Sequence, residues 1–499
     1  MDIIFTHKTQ NVFREYADLE KRVQVSAESV VPDVNEDIGR VASVQTQLYL
    51  KSKELTARGV TVTGEMETVL LYITENENQV SYLTLHRDFS LDFDLGDYPA
   101  ELEAQIQLAV SNTEARVLNP RKVAVTVEIL GSLCCYCRAE LPVESELPEE
   151  GRALLHCRES RREITMINSV CEKSFVVNEQ FLFPEGNPQP EQLLSHHAEF
   201  VVEDLQQVGS RVVIKGAVNL DVSYLPQGLS YPVTAHFSTP FSQIVDTGAE
   251  ECEAGSAFAV VTSAYYDLVD TISGAKALDA EVHAVLQLVS RSRIELRWIS
   301  DAYSNRCPVT CKKQAVELAE RAEGQSLRLN GEDTVSIAED CEKLLWVYPA
   351  LAQVQLREEG ITAVIGMDVV YARQSGEISS VRRQMELSGE KPAQVLRICS
   401  SRLLNTNFRQ EGNDLRCRLS VEIETQLFSK ENVERIHSVT VEEENAYSQD
   451  SLPALILVRA YGEELWNLAK CYHSSEEAIL HANDPMPPEG GLLLIPRET

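Results

Sequence analysis

A chain of 499 residues exceeds what one hydrophobic core usually covers, and 43% hydrophobic residues suffice to fill three or four cores. Its 77 acidic against 45 basic residues give a formal charge of −32, a field that repels phosphate backbones and anionic lipid heads and argues against nucleic acid as a partner. No run reaches about 18 uninterrupted apolar residues, so no transmembrane segment is predicted.

The opening, MDIIFTHKTQNVFREYADLEKRVQVS, has no basic region followed by an apolar one, which predicts a protein kept in the cytoplasm. In VVPDVNEDIGRV (30–41), proline and an acidic residue predict the end of a strand and the start of a short helix. Asp33, Asn35 and Asp37 have the alternating oxygens of a calcium loop, but Gly39 comes one residue late and the twelfth position is Val44 rather than glutamate, which favours a helix-capping turn.

VTVTGEMETVLLYI (60–73) is the first of three related strand patterns. VVIKGAVNLDVSYL (212–225) and ITAVIGMDVVYA (361–372) align with it on Tyr72, Tyr224 and Tyr371, about 150 residues apart, roughly one domain each time. In the second copy Val212, Ile214, Gly216, Val218, Leu220, Val222 and Tyr224 share one face, with Lys215, Asn219, Asp221 and Ser223 on the other. The third alternates similarly through Ile361, Ala363, Ile365, Met367, Val369 and Tyr371, with Ala363 where the others carry glycine.

Each copy has a further alternating run after it: KVAVTVEIL (122–130), ALDAEVHAVLQL (277–288) and DLRCRLSVEIETQL (414–427). LFPEGNPQPEQLL (182–194) repeats the strand-leaving segment before the second copy, and RLNGEDTVSIAEDCEKLL keeps its outline before the third. The predicted fold class is mainly β (α+β): three tandem antiparallel domains, each with one or two short helices. The domains span 1–139, 155–297 and 298–430, separated by an acidic, proline-bearing linker at 140–154 and followed by a second linker at 431–452.

The clusters CCYC (Cys134, Cys135, Cys137) and CPVTC (Cys307, Cys311) lack the paired spacing of a zinc site, and the twelve scattered cysteines suit reduced thiols. His196 and His197 in SHHAE point to opposite faces of an extended segment and read as a solvated pair at a strand start. The acidic runs 146–150 and 442–444 read as solvated linker faces. No GxxxxGK[ST], GxSxG or HExxH occurs, so no catalytic residue, metal ligand or cofactor is assigned.

The last 47 residues (453–499) change character. ALILVRA (454–460) and GLLLIP (491–496) read as short apolar strands around two helices. Leu465, Leu468, Ala469 and Tyr472 have i, i+3, i+4, i+7 spacing behind Glu463 and Glu464, which suit a helix start. Ser474 and Glu477 have capping-box form, and Ala478, Ile479 and Ala482 give the second helix its stripe before Asn483 and Pro485 end it. The predicted order is strand, helix, helix, strand, with Leu465, Trp466, Leu468, Ile479 and Leu494 as core.

That order, with Val458, Gly462, Leu465, Trp466, Ala469, Lys470, Tyr472 and Pro496 at the family's positions, resembles the LysM domain. The segment 29–48 with the strands that follow resembles the SPOCS domain, found in tandem ahead of a LysM module in spore coat morphogenetic proteins of spore-forming bacteria. The resemblance implies three SPOCS-like domains and a βααβ LysM module that docks on a coat morphogenetic ATPase or other coat proteins, on the mother-cell side of the forespore surface. The two LysM loops supply the candidate contacts: Gly462, Glu463, Glu464, Asn483, Asp484 and Met486.

LysM modules commonly hold N-acetylglucosamine glycans between these loops. Here the usual Gly-Asp-Thr-Leu-Trp is Gly462-Glu463-Glu464-Leu465-Trp466, with Tyr461 as a one-residue insertion. Losing the threonine hydroxyl and adding carboxylates opposes sugar binding. The expectation is therefore a non-enzymatic structural adaptor, with self-association as a further partner mode. The alternative is a peptidoglycan-binding wall or cortex protein.

Overall fold

The computed structural model describes the chain apart from residues 77, 185, 249–252, 273, 358–359, 391–394, 448–452, 460 and 498–499; at 253–254, 317–324, 395–396 and 426–431 it describes the backbone only. The fold is mainly β, as the alternation predicts. After the short β1 (Asp2–Ile4) come β2 (Thr6–Val30), β3 (Ile38–Thr56), β4 (Gly59–Thr74), β5 (Val80–Asp94), β6 (Leu102–Asn119) and β7 (Lys122–Glu146). A helical turn, α1 (Glu149–Arg152), precedes β8 (His156–Leu182), β9 (Pro190–Val208), β10 (Arg211–Pro226), β11 (Val233–Asp246), β12 (Glu253–Asp270) and β13 (Lys276–Tyr303). The next six are β14 (Val309–Ser336), β15 (Cys341–Leu356), β16 (Ile361–Arg373), β17 (Ile378–Gly389), β18 (Val395–Glu411) and β19 (Asp414–Val441).

One pairing scheme recurs in each set of six. The second, third and fourth strands form an antiparallel meander: β3-β4-β5, β9-β10-β11 and β15-β16-β17. The sixth strand pairs with the first and the fifth, giving β2-β7-β6, β8-β13-β12 and β14-β19-β18. The two sheets of a unit enclose its own core. The seven residues of 212–225 read as one face are all buried, and so are Ile361, Ala363, Ile365, Met367, Val369 and Tyr371.

The departure at Ala363 has a steric reason. A Cβ on Gly64 would come within 2.4 Å of the facing Phe89 ring and 2.6 Å of the Tyr49 carbonyl, and one on Gly216 within 2.0 Å of the Val201 carbonyl and 2.9 Å of the facing Phe241 ring. Ala363 lies opposite Leu387, a shorter side chain that leaves room for a methyl group. Two of the aligned tyrosines share a second role: Tyr72 donates to the Glu36 carbonyl (3.3 Å) and Tyr224 to that of Pro188 (3.1 Å), pinning the segments that enter the first two meanders.

Those entering segments hold no helix. Residues 31–37 form a turn and β3 starts at Ile38, while α1 is the only helix before residue 442 among the described residues. The predicted helices are replaced by other partners for the backbone. The Arg121 guanidinium donates to the carbonyls of Val31 (3.0 Å) and Pro32 (2.9 Å) and to the carboxylates of Asp33 (3.2 Å) and Asp37 (2.8 Å). The alternating acidic loop therefore wraps an arginine.

The predicted linkers are also mostly strand. The boundaries at 139/140, 297/298 and 430/431 fall inside β7, β13 and β19, and 448–452 lie outside the described residues. The first and sixth strands of each unit run past their sandwich as a two-stranded ribbon. Val12, Leu141, Ile164 and Leu296 pack between ribbons, and Ile3, Phe5, Leu155, Ile299, Ile436 and Val439 pack at their tips. Polar residues on the outer faces gave these stretches the composition of linkers.

The units meet head to tail. The β4–β5 face of the first lies on β9 of the second, through Glu67–His196 and Gln192–Tyr82 (3.4 Å). The β11 strand of the second takes β15 of the third, with Trp346 Nε1 donating to Thr234 (2.8 Å). The β16–β17 face of the third returns to β3 and β6 of the first: Ser380 donates to the Val41 carbonyl (2.7 Å) and Arg382 to that of Thr113 (2.8 Å). Ala42, Val69, Leu71, Leu194, Trp346, Val370 and Ile378 fill the centre of this ring. Three heterologous contacts that close are the cyclic solution.

Candidate functional site

The C-terminal segment folds as β20 (Leu455–Arg459), α2 (Leu465–Cys471), α3 (Glu476–Ala482) and β21 (Leu492–Pro496), with β20 and β21 antiparallel. Trp466, Leu468, Ala469, Ile479, Leu493 and Ile495 form its core. Leu465 and Leu494 are only half-buried, so the inward register of β21 is one residue off the predicted one. The helix cap is also displaced by one. Ser475 Oγ accepts from Ala478 N (3.1 Å), whereas Ser474 is buried and donates to the Pro496 carbonyl.

Five of the six candidate contacts are exposed: Gly462, Glu463 and Glu464 before α2, and Asp484 and Met486 after α3. Gly462 has φ +90°, a conformation that favours glycine, and Glu463 accepts from the Tyr461 backbone N–H (2.7 Å). Asn483 is instead turned inward, 7% exposed. Its amide donates to the carbonyls of Ile479 (2.7 Å) and Leu494 (2.6 Å) and accepts from Leu494 N (2.8 Å), tying α3 to β21. It is a framework residue.

The two loops touch. A Cβ on Gly490 would lie 3.6 Å from the Tyr461 ring, and one on Gly462 would lie 3.8 Å from the Glu489 carboxylate. The inserted tyrosine thus reaches the second loop across the space between them.

No motif signals what holds the module. Its seat is the tip of the β8–β13 ribbon. Asp301 accepts from both the Lys470 ammonium (2.8 and 2.7 Å) and the Trp466 indole N–H (2.8 Å). Burial pushes the Asp301 carboxyl up, but the hydrogen bonds from Lys470 and Trp466 outweigh it and hold the group below its ordinary range. Tyr303 donates to the Ser474 carbonyl (2.9 Å), meets Trp466 edge-on at 4.9 Å, and stacks on His156 at 5.0 Å. Arg158 pairs with Glu464 (2.7 Å), and Tyr447 packs on His473 at 4.0 Å. Tyr303 belongs to the module's own core.

The remaining candidates are accounted for by packing. Cys134 and Cys135 are buried in strand β7, the Cys135 thiol pushed up to about 12 by burial, and no disulfide joins the described cysteines. No group of three or more His, Cys, Asp or Glu could hold a metal ion among the described residues. His196 and His197 are not a solvated pair: both are half-buried inside β9, and His196 stacks on Tyr266 at 4.2 Å beside Glu67. No helix among the described residues is long and apolar enough to cross a membrane. No protein-family model matches the chain, and no curated protein or solved structure matches it either.

Proposed function

We propose that the chain is a non-enzymatic structural adaptor of spore coat assembly, with three SPOCS-like domains as a scaffold and a C-terminal LysM module that docks on a coat morphogenetic ATPase at the forespore surface, in the mother-cell cytoplasm. The observation that carries this reading is how the module is mounted. One side of it, from α2 to Ser474, is fixed to the ribbon tip, while Tyr461–Glu463 and Asp484–Glu489 stay at the surface. A rigid mount lowers the entropy a partner must overcome on docking.

Peptidoglycan binding, the alternative, is less well supported. Tyr461 against Gly490 narrows the space where a sugar would lie, and Glu463, Asp484 and Glu489 line its rim with carboxylates. The test is a titration of the whole chain against the purified ATPase and against N-acetylglucosamine oligomers. The whole chain is needed because Tyr303 completes the module's core. Saturable binding to the ATPase alone supports the adaptor; binding to the sugar alone overturns it.

A further inference from the structure

We infer that the contact between the sandwiches of the first and second six-strand units is an acid-released latch, which loosens while the other two sandwich contacts hold and the β2–β8 and β7–β13 pairings keep the two units joined through their ribbons. Tyr49, from β3 of the first unit, is buried in the core of the second. Above it, Tyr49 donates to Glu67 (2.9 Å), and the other oxygen of that carboxylate meets His196 Nε2 of the second unit at 3.4 Å. The Glu67 and His196 side chains are 14% and 19% exposed, and the Tyr266 ring covers the imidazole. A second ion pair, Lys53 with Glu172, crosses the same contact. Ile106 exchanges hydrogen bonds of 2.9 Å in both directions with Gln287 beside it.

The groups that face Glu67 are Tyr49 from β3, His86 from β5, His196 from β9 and Tyr266 from β12, with Glu65 two residues away on β4. Burial raises the Glu67 carboxyl, but its bonds from His196 and Tyr49 prevail and hold it below the ordinary value of 4.5. A depressed carboxylate contributes stability above its unfolded pKa and loses it as pH falls through the folded one. Once Glu67 is protonated, the buried contact loses the charge on the carboxylate that joins Tyr49 to His196, and His196 Nδ1, buried with no hydrogen-bond partner among the described residues, offers nothing in its place.

The other two contacts respond differently. Between the third and first units, Asp368 accepts from Val44 N (3.4 Å), and burial pushes its carboxyl up despite Arg382, so protonation there favours the closed form. The Arg397–Asp18 ion pair lies in the same contact. Between the second and third, the neutral Trp346–Thr234 bond does not titrate. Glu199, raised by burial against Arg402, gains on protonation, whereas His197, which burial pushes down and which faces Asp221, loses.

Hydrogen exchange of the whole chain, corrected for the intrinsic pH dependence, tests the latch between pH 7 and pH 3.5. The expected result is loss of protection in peptides holding Tyr49, His196 and Tyr266, by up to about tenfold per pH unit between the ordinary carboxylate value of 4.5 and the lower folded one of Glu67, levelling off below it. Peptides holding Val44 and Trp346 should keep theirs. Glu67→Gln should show the open state already at pH 7 and remove most of the pH dependence; Lys53→Met, an independent variant, should move the midpoint upward. Loss of protection at all three contacts together, or an unchanged acid midpoint in Glu67→Gln, would overturn the latch.

Discussion

Replacing Asp301 with alanine should release the terminal module from its seat without unfolding the three sandwiches. The Asp301 carboxylate accepts from both Lys470 and Trp466. The Lys470 ion pair is half-exposed, 44% on the lysine and 27% on the aspartate, so solvent screening leaves it worth at most about 1 kcal/mol. The indole N–H is different, because Trp466 is buried and its donor would lose its partner, at about 1–2 kcal/mol. The sum of about 1–3 kcal/mol is a shift of roughly 5- to 150-fold toward the undocked module. Hydrogen exchange in α2 and proteolysis between β19 and β20 read that shift directly. The low pKa of Asp301 adds a pH signature: the seat's contribution is present above the ordinary value of 3.8 and is lost as pH falls through the lower folded one. Unchanged α2 exchange in Asp301→Ala, or equal loss in β10 and β16, would refute the reasoning.

Asn483→Ala should cost the module about 2–3 kcal/mol, since two carbonyls and one N–H lose a buried partner, whereas Met486→Ala should leave its melting unchanged; calorimetry separates the two. Under the proposed function, Glu463→Ala with Asp484→Ala should weaken the proposed docking on a coat ATPase about tenfold while circular dichroism stays native, and a lost fold would show that these are framework positions. Gly64→Ala should destabilise the first unit by about 1–3 kcal/mol, and adding Phe89→Leu should recover only the part due to the ring, since the Tyr49 carbonyl still lies 2.6 Å from the new Cβ; denaturant unfolding of both variants checks this. Arg121→Ala should cost about 2 kcal/mol by stranding the carbonyls of Val31 and Pro32, read as faster exchange at residues 31–38.

The sequence carried those features whose cause is local. Alternation from Val212 to Tyr224 names a buried face because side-chain direction has period two and needs no knowledge of the partner sheet. The helices α2 and α3 were visible for the same reason at period 3.6. Errors of one residue arose where the local signal is flat: the run Leu492-Leu493-Leu494 offers no alternation from which to fix a register, and Ser474 and Ser475 are equally good caps on paper. The larger errors were long-range. Residues 140–146 look like a linker until β2 is laid beside them, and His196 looks solvated until Glu67, 129 positions earlier, is brought against it. The seat of the terminal module was illegible because Asp301 and Tyr303 carry no motif; their meaning comes from Trp466 and Ser474 arriving at the same place.

The closed circuit of the three units also limits how many copies of the chain could join. A head-to-tail surface repeated along a chain is the usual recipe for a filament, since each copy leaves one complementary end exposed for the next. Here the third unit returns to the first, so the series stops at three inside a single molecule. Any coat lattice built from this chain would have to grow through other surfaces, such as the outer faces of the ribbons or the terminal module. Opening the circuit at one contact would expose a donor end and an acceptor end together, turning a self-contained body into a link.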